Sequence, residues 1–168
     1  MLEKCDVKSL DGNVFSLIGE QWMLITAGTA DHCNTMTASW GGLGVLWGSD
    51  VATCYIRPQR YTYEFVEKSD YFTLAFFGPE HRSALALCGS KSGREVDKVK
   101  ECGFTVCTGE GGALYFAEAE LVLVCRKLYW QDIDPAHFLD PETDGKWYPE
   151  KDYHRMYIGK IVEAYRKK

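Results

Sequence analysis

The stretch that decides the fold runs from Asn34 to Thr62. It reads Asn34-Thr35-Met36-Thr37-Ala38-Ser39-Trp40-Gly41-Gly42, then the apolar segments Leu43–Trp47 and Val51–Ile56, then Arg57-Pro58-Gln59-Arg60-Tyr61-Thr62. Two apolar runs of strand length around the spacer Gly48-Ser49-Asp50 predict a β-hairpin. The hairpin is bounded on each side by a polar segment of distinctive composition.

The two polar segments together match the chemistry of one kind of ligand. The first is small and rich in hydroxyls, so its backbone can approach a flat ring, while Met36 and Trp40 offer apolar area. The second places Arg57 and Arg60 three residues apart, where two guanidinium groups can converge on a phosphate. Thr62 is a candidate N-cap of a following helix, whose N-terminus also attracts anions. A planar ligand with a phosphate tail describes flavin mononucleotide (FMN).

Both segments also have a simpler interpretation. On composition alone, Asn34–Trp40 is better read as a surface turn that runs into an edge strand, with its methionine and tryptophan in the core. Arg57 and Arg60 can equally be surface charges at a strand end, since exposed arginine is common and contributes little to stability.

A third polar cluster lies further along the chain, at Ser90-Lys91-Ser92-Gly93-Arg94 and Lys98. A Ser/Gly loop before a helix resembles an anion-binding nest of backbone amides. The same pattern is typical of a solvated loop and helix face. The residues alone do not choose between these interpretations.

The remaining chain consists of short apolar runs separated by turn residues. We predict strands at Trp22–Ala27, Tyr71–Phe77, Leu114–Asp132 (one bent strand or two) and Tyr157–Val162. We expect Val14–Ile18 to be a short strand or a packed arm, and Asp134–Tyr148, marked by prolines, to be a loop. Predicted helices cover Tyr61–Ser69, His81–Cys88 (ended by Gly89) and Arg94–Cys102 (ended by Gly103).

This pattern predicts a single, mainly β domain over residues 1–168. Many strands with only short helices favour an antiparallel β-barrel with helical insertions. The chain lacks a regular strand–helix alternation and a GxGxxG motif, which argues against a Rossmann nucleotide fold.

Charge and cysteine content narrow the possible functions. The formal net charge of −5 argues against nucleic acid as a partner, so the basic clusters better suit a small anion. The apolar runs are too short to span a bilayer, and the charged start Met1–Asp6 does not resemble a signal peptide, so we expect a cytoplasmic protein. The seven cysteines include no CxxC pair, and no residue spacing indicates a metal site. Cys33 adjoins Asn34, and a redox role for it is kept as a minor alternative.

The ordered motifs resemble those of the flavin reductase-like domain family, whose fold is the FMN-binding split barrel of Greek-key type. The resemblance rests on Asn34–Gly41, Arg57–Thr62, Gly89–Lys98 and Tyr157–Ile161, and it extends from about Trp22 to Ile161. It implies that FMN contacts come from three clusters. These are Asn34, Met36, Thr37, Ala38, Ser39 and Trp40, then Arg57, Arg60, Tyr61 and Thr62, then Ser90, Ser92, Gly93 and Lys98.

The resemblance also implies a reaction. We expect hydride transfer from NADH or NADPH to the flavin, with free flavin or a protein as electron acceptor, in a homodimer. His154, shortly before Gly159, is a candidate on the nicotinamide side, although a structural or exposed histidine is at least as consistent with the sequence. Two alternatives stay open: a flavoredoxin-like electron carrier that is reduced by a protein partner, and a non-redox barrel that binds haem or another ligand.

Overall fold

The computed structural model describes residues 1–168 and contains ten strands and five short α-helices. The strands are β1 Leu2–Cys5, β2 Met23–Thr29, β3 His32–Ala38, β4 Gly41–Leu46, β5 Ser49–Ile56, β6 Tyr71–Phe76, β7 Val106–Thr108, β8 Leu114–Phe116, β9 Leu121–Asp132 and β10 Arg155–Lys167. The helices are α1 Val14–Ser16, α2 Tyr61–Lys68, α3 Arg82–Ser90, α4 Lys98–Glu101 and α5 Pro141–Trp147. No helix has the length and apolar character needed to cross a membrane.

One antiparallel sheet organises the molecule. Its strands follow the order β3-β2-β6-β9-β10-β5-β4, and β1 pairs with the second half of β10. The long strands β9 and β10 change register at Ile158/Gly159 and again at Ile161/Glu163, as β-bulges do where a sheet curves. Gly159 is needed there because a Cβ would lie 2.7 Å from the Phe72 ring and 2.8 Å from Cys125 Cβ. β7 and β8 form a separate hairpin.

The sheet is buried on both faces, as the apolar run Trp22–Ala27 predicts. Alternate residues of β2 point to opposite sides: Met23 and Ile25 join a cluster of 19 buried residues, and Leu24 joins a second cluster of 11. The second cluster includes Leu85 and Cys88 of α3. The mainly β, antiparallel fold with helical insertions is thus confirmed.

The predicted hairpin is present with a tighter turn. Trp47 and Gly48 have positive φ angles of 50° and 65°, and β5 already begins at Ser49. Two successive left-handed residues are typical of a two-residue turn that matches strand twist. The turn therefore consists of Trp47 and Gly48, and the predicted spacer Gly48-Ser49-Asp50 is wrong at both ends.

The boundaries of α3 and α4 differ from the predictions. α3 continues through Gly89, and α4 covers only the last part of the predicted Arg94–Cys102 helix. The Asp97 carboxylate accepts a hydrogen bond from Lys100 N, which starts α4 at Lys98.

Caps also explain two segments that were predicted as non-helical. Asn13 accepts from the backbone amides of Phe15 and Ser16, so Val14–Ile18 is helical and not a strand. Asp140 accepts from Glu142 N, and Pro141 occupies the first helical position of α5, where proline is favoured. The prolines that predicted a loop over Asp134–Tyr148 therefore include one that begins a helix.

Candidate functional site

A groove opens where the ends of β3, β5 and β10 meet. It encloses about 190 Å³. Its lining residues are Met36, Thr37, Ala38, Ser39, Trp40, Tyr55, Arg57, Arg60 and His154. Five consecutive residues of the first predicted cluster thus meet both predicted arginines and the predicted histidine. Met36 is only 5% exposed and belongs to the core, so it offers the groove mainly backbone.

Aromatic rings form one wall of this groove. The Trp40 ring lies 5.1 Å from that of His154 and 5.2 Å, edge to face, from that of Trp147 at the end of α5. Trp40 and Trp147 remain 40% and 43% exposed. Such a wall can contact a planar ring and still be reached from solvent.

His154 is a neutral imidazole at physiological pH. It is buried, and its Nδ1 lies 2.9 Å from the hydroxyl of Tyr148. Burial, reinforced by the positive charge of Arg57, lowers the pKa of His154 to about 4. A group with this pKa can orient a ligand by hydrogen bonding, but it carries no charge near neutral pH.

Arg57 holds the segment that follows α5 against the end of β5. Its guanidinium lies 2.6 Å from Asp152 Oδ1, donates to the Trp147 carbonyl at 2.8 Å and stacks over the Tyr148 ring. Gln59 adds a hydrogen bond to Asp152. Arg57 is therefore already paired with a carboxylate and a backbone carbonyl of the protein.

A second cavity of about 170 Å³ brings the other two predicted clusters together. Its lining residues are Gln59, Arg60, Tyr61, Thr62, Gly89, Ser90, Lys91, Ser92, Gly93 and Lys98. We call it the cation pocket. Arg60 lines both the pocket and the groove, whereas Arg57 lines only the groove. The predicted convergence of both arginines on one phosphate is therefore absent from this geometry, and Lys98 takes the place of Arg57.

Three cations line this pocket: Lys91 is exposed, Arg60 is half-buried and Lys98 is buried. Neither Arg60 nor Lys98 has an acidic partner. No carboxylate lies within 4.0 Å of Arg60 or Lys98. Lys98 is buried and donates to the carbonyls of Thr35 and Cys88, each at 2.8 Å. Burial lowers the pKa of Arg60 and lowers that of Lys98 to about 8. Buried cations without a counter-ion are costly, and an anion in the pocket would remove that cost.

Asn34 stands apart from the other predicted contacts. It is buried and donates from Nδ2 to the Thr62 hydroxyl at 2.8 Å, so Thr62 is held from inside α2 and is not the N-cap that was predicted. A Cβ on Gly93 would overlap Asn34 Oδ1. Asn34 lines neither the groove nor the cation pocket but a neighbouring cavity of about 430 Å³, which Cys33 also lines. It positions residues around the pocket.

Sequence reasoning did not assign several residues to the site: Tyr55, Trp147 and Tyr148 at the groove, and Gln59, Gly89 and Lys91 at the pocket. Tyr55 lies on β5, two residues before Arg57, which directly follows the strand, so the two-residue period of a strand could have placed Tyr55 on the same side as Arg57. Tyr148, the partner of His154, carries no such signal because it lies in a segment that was predicted as loop.

A larger cavity, of about 450 Å³, lies elsewhere, between the helical N-terminal segment and β4. Its one cation, Arg166, is paired with Asp11 at 2.9 Å, and Glu20 and Glu120 also line it. Its charges therefore do not favour an anionic ligand.

Comparisons with known proteins identify the family and the fold. The family model described as "Flavin reductase like domain" matches residues 15–168. A search of curated proteins found no match.

Solved structures share the fold at low sequence identity. A flavoredoxin from Methanosarcina acetivorans has a TM-score of 0.68 at 22% identity, over 88% of this chain and 69% of that one. An FMN-binding domain of a flavin reductases-like enzyme from Shewanella baltica has a TM-score of 0.70 at 17% identity, over 99% of this chain and 77% of that one. The NADH:FAD oxidoreductase SgcE6 from Streptomyces globisporus, in complex with NAD and FAD fragments, has a TM-score of 0.66 at 16% identity, over 88% of this chain and 74% of that one. The split-barrel fold is thereby shown, and the chain belongs to the flavin reductase-like domain family.

Proposed function

We propose that this chain binds FMN, with the ring system in the groove and the phosphate in the cation pocket, and transfers a hydride to it from NADH or NADPH. The observation that carries the proposal is the pair of cations Arg60 and Lys98, which share one cavity without a carboxylate partner. Arg60 also lines the groove, so one side chain joins the two cavities. Family membership supports the same assignment.

The hydrogen bonds already present rank the serines around the pocket. Ser90 Oγ donates to the Ala86 carbonyl at 2.8 Å, so its proton is in use. Ser92 Oγ accepts from Arg94 N at 3.2 Å, which leaves its own proton free for a phosphate oxygen. We therefore assign phosphate binding to Arg60, Lys98 and Ser92, and a supporting role to Ser90.

Bound FMN would supply the ring that accepts the hydride, while the protein contributes position and electrostatics. Ala38, Ser39 and Trp40 border the groove, and His154, which is neutral and held by Tyr148, would offer a hydrogen bond without a charge. A hydride transfer needs no side-chain acid or base, which is consistent with the absence of an acid–base pair in the groove.

Titration of the ligand-free protein with FMN and riboflavin tests the phosphate assignment. We expect FMN to bind more tightly, and Arg60→Ala to weaken FMN by about ten-fold or more, because one charge-assisted hydrogen bond contributes about 1.5–3 kcal/mol. Arg94→Ala is the matched control, since Arg94 is half-exposed, paired with Glu64 and outside this pocket. Equal affinities for FMN and riboflavin would contradict the assignment.

Anaerobic mixing of the FMN-loaded protein with NADH or NADPH tests the reaction. We expect loss of the oxidised flavin absorbance at a rate that saturates with nicotinamide concentration. His154→Ala should slow this reduction with unchanged FMN affinity if His154 lies on the donor side. Reduction by dithionite but by neither nicotinamide would refute the reductase assignment.

One observation favours the second candidate, an electron carrier reduced by a protein partner. Trp147 packs edge to face against Trp40, so α5 already borders the open side of the groove. If this packing leaves no room for a nicotinamide, electrons must arrive from a protein surface. The same anaerobic experiment distinguishes the two functions, and the absorption spectrum of the purified protein distinguishes flavin from haem.

We also propose a homodimer. Large apolar side chains are exposed on the β4–β5 hairpin, at Val45 and Trp47, and on the end of β9, at Tyr129 and Trp130. The rings of Trp47 and Tyr129 lie 6.1 Å apart, so the two groups form one surface. A second copy that covered this surface would remove it from water.

A further inference from the structure

Two thiols touch each other beside the cation pocket. Cys88 lies in the last part of α3, and Cys102 directly follows α4. Their sulfur atoms are 3.7 Å apart, and both cysteines are free. Cys88 is fully buried, whereas Cys102 is partly exposed. A reagent can therefore reach the Cys102 thiol, which is already in contact with the Cys88 thiol.

The two thiols lie where α3 contacts the end of α4, and these two helices form one wall of the pocket. The carbonyl of Cys88 accepts a hydrogen bond from Lys98 Nζ at 2.8 Å. Gly89 and Ser90, the next residues of α3, line the pocket, and Lys98 is the first residue of α4. Neither cysteine lines the pocket itself. A change at the sulfurs would thus reach the pocket through the backbone.

We propose that Cys88 and Cys102 are a reversible disulfide site, and that closing the disulfide weakens anion binding in the cation pocket. The second half of this proposal rests on the proposed function, whereas the first half does not. A disulfide needs a sulfur–sulfur distance of about 2.05 Å, so the two sulfur atoms, now 3.7 Å apart, must approach each other; we infer that the ends of α3 and α4 shift with them. Lys98 belongs to α4 and donates a hydrogen bond to the Cys88 carbonyl of α3, so its position relative to the pocket changes.

The oxidant that we assign is a low-molecular-weight disulfide such as oxidised glutathione. The partly exposed Cys102, as thiolate, attacks one sulfur of the reagent, forms a mixed disulfide and releases one glutathione thiolate. Cys88 then attacks the Cys102 sulfur, which forms the internal disulfide and releases the second glutathione. The two protein thiols lose two electrons and two protons, and the reagent becomes two thiols. Excess reduced glutathione reverses both steps.

The surroundings of the thiols determine the pH dependence of this reaction. Burial raises the pKa of Cys102 and raises that of Cys88 to about 12. The groups that face the pair are Lys98, whose charge lowers both thiol pKa values, and Glu101, whose charge raises that of Cys102. Because the thiolate is the reactive form, we expect closure to be slow near neutral pH and faster as the pH rises.

Peptide mapping tests the disulfide without any ligand. The protein is incubated with oxidised glutathione, its remaining thiols are alkylated, and it is digested with trypsin. Cleavage after lysine and arginine places Cys88 in residues 83–91 and Cys102 in residues 101–126. We expect these two peptides to be joined and to separate on reduction. Cys102→Ser should abolish the joined peptide, and Cys107→Ser, which removes a partly exposed cysteine from the same peptide, should not. Failure to recover the joined peptide from the wild type would overturn the proposal.

FMN titration of the reduced and oxidised protein tests the coupling. We expect the dissociation constant of FMN to rise by about ten-fold on oxidation, to recover on reduction, and to stay constant in Cys102→Ser. A joined peptide with unchanged FMN affinity would overturn the coupling.

Hydrogen exchange gives a readout of the coupling that needs no FMN. The backbone amides of residues 88–102 should change their exchange on oxidation, and unchanged exchange would also overturn the coupling. A reduced protein that does not bind FMN contradicts the proposed function, while the mapping and exchange results still decide the disulfide and its effect on this wall.

Discussion

Arg57 and Arg60 show how the fold separates two similar side chains. They are three residues apart, yet Arg57 is paired with Asp152 while Arg60 has no carboxylate partner. Arg60 instead shares its pocket with Lys98, which lies on α4. The balance of charges at a site thus depends on which distant residues arrive there.

Lys98 should make FMN binding sensitive to pH. Its pKa of about 8 in the ligand-free protein means that its charge is lost above that pH, so FMN affinity should fall by up to about ten-fold per pH unit. Lys98→Met should flatten this dependence. Titrations between about pH 7 and 9.5 measure it, and riboflavin controls for ionisation of the ring. The same slope for riboflavin would contradict the assignment.

The same lysine should affect stability in the opposite direction: FMN affinity falls as the pH rises, whereas the stability of the ligand-free fold increases. Its pKa in the fold is lower than the ordinary 10.5, so between about pH 8 and 10.5 the unfolded chain binds more protons. The contribution of Lys98 to the free energy of unfolding therefore increases with pH in this range. Urea unfolding of the ligand-free wild type and Lys98→Met measures this: the free energy of unfolding of the wild type minus that of the variant should rise from about pH 8 to about pH 10.5.

His154 should make the fold sensitive to acid. Its pKa is about 4 in the fold and about 6.5 in the unfolded chain, so the unfolded chain binds the proton first as the pH falls. Stability is then lost between about pH 6.5 and 4, by up to about 3 kcal/mol. His154→Asn, which keeps a polar partner for Tyr148, should lose much of this slope in urea unfolding. An identical slope in the variant would show that other groups carry the effect.

At the scale of elements, the segment after α5 is held by a small number of polar contacts. Arg57 binds Asp152 and the Trp147 carbonyl, and Asp144 accepts from Lys151 and Tyr153. The Arg57 and Asp152 side chains are only 23% and 17% exposed, so their ion pair is partly shielded from water. Breaking a shielded pair leaves a charge without its partner, which is unfavourable.

We therefore predict that Arg57→Met releases α5 from the groove. Amide hydrogen exchange of residues 141–152 should speed up, while exchange in β5 stays slow. Breaking the pair should cost about 1–3 kcal/mol in the free energy of unfolding. Arg94→Met is the control, because its pair with Glu64 is about half-exposed and contributes little. Unchanged exchange in 141–152 would contradict this role of Arg57.

At the scale of the whole molecule, the exposed apolar surface predicts self-association. Light scattering should give a mass near twice the 19.1 kDa of one chain. Val45→Glu should shift the protein toward the monomer, because it places a charge where we expect the partner; Val45 is 74% exposed. Leu139→Glu, at a 99% exposed position outside this surface, should not. A wild-type monomer with and without FMN would refute the dimer.

The sequence by itself determined the class of fold and most of the longer strands, but not β1, β3 or β7. Apolar runs such as Tyr71–Phe77 correspond to strands because period and turn residues are local properties, and β6 follows that run closely. Helix starts were less predictable, since they depend on side-chain caps at Asn13, Asp97 and Asp140. The sequence also named most of the groove and pocket residues, but only because their order matches a family.

Only the tertiary structure decided which of these residues share a cavity and in what charge state. Arg57 meets Asp152 across 95 positions of the chain, and Lys98 meets Thr35 across 63. Such contacts depend on strand register and on how α4 and α5 pack against the sheet, which no local pattern encodes. Burial, which lowers the pKa of Lys98 and His154, also exists only once distant segments have closed over them. The sequence therefore supplied the groups, and the packing of distant segments determined their partners and their protonation.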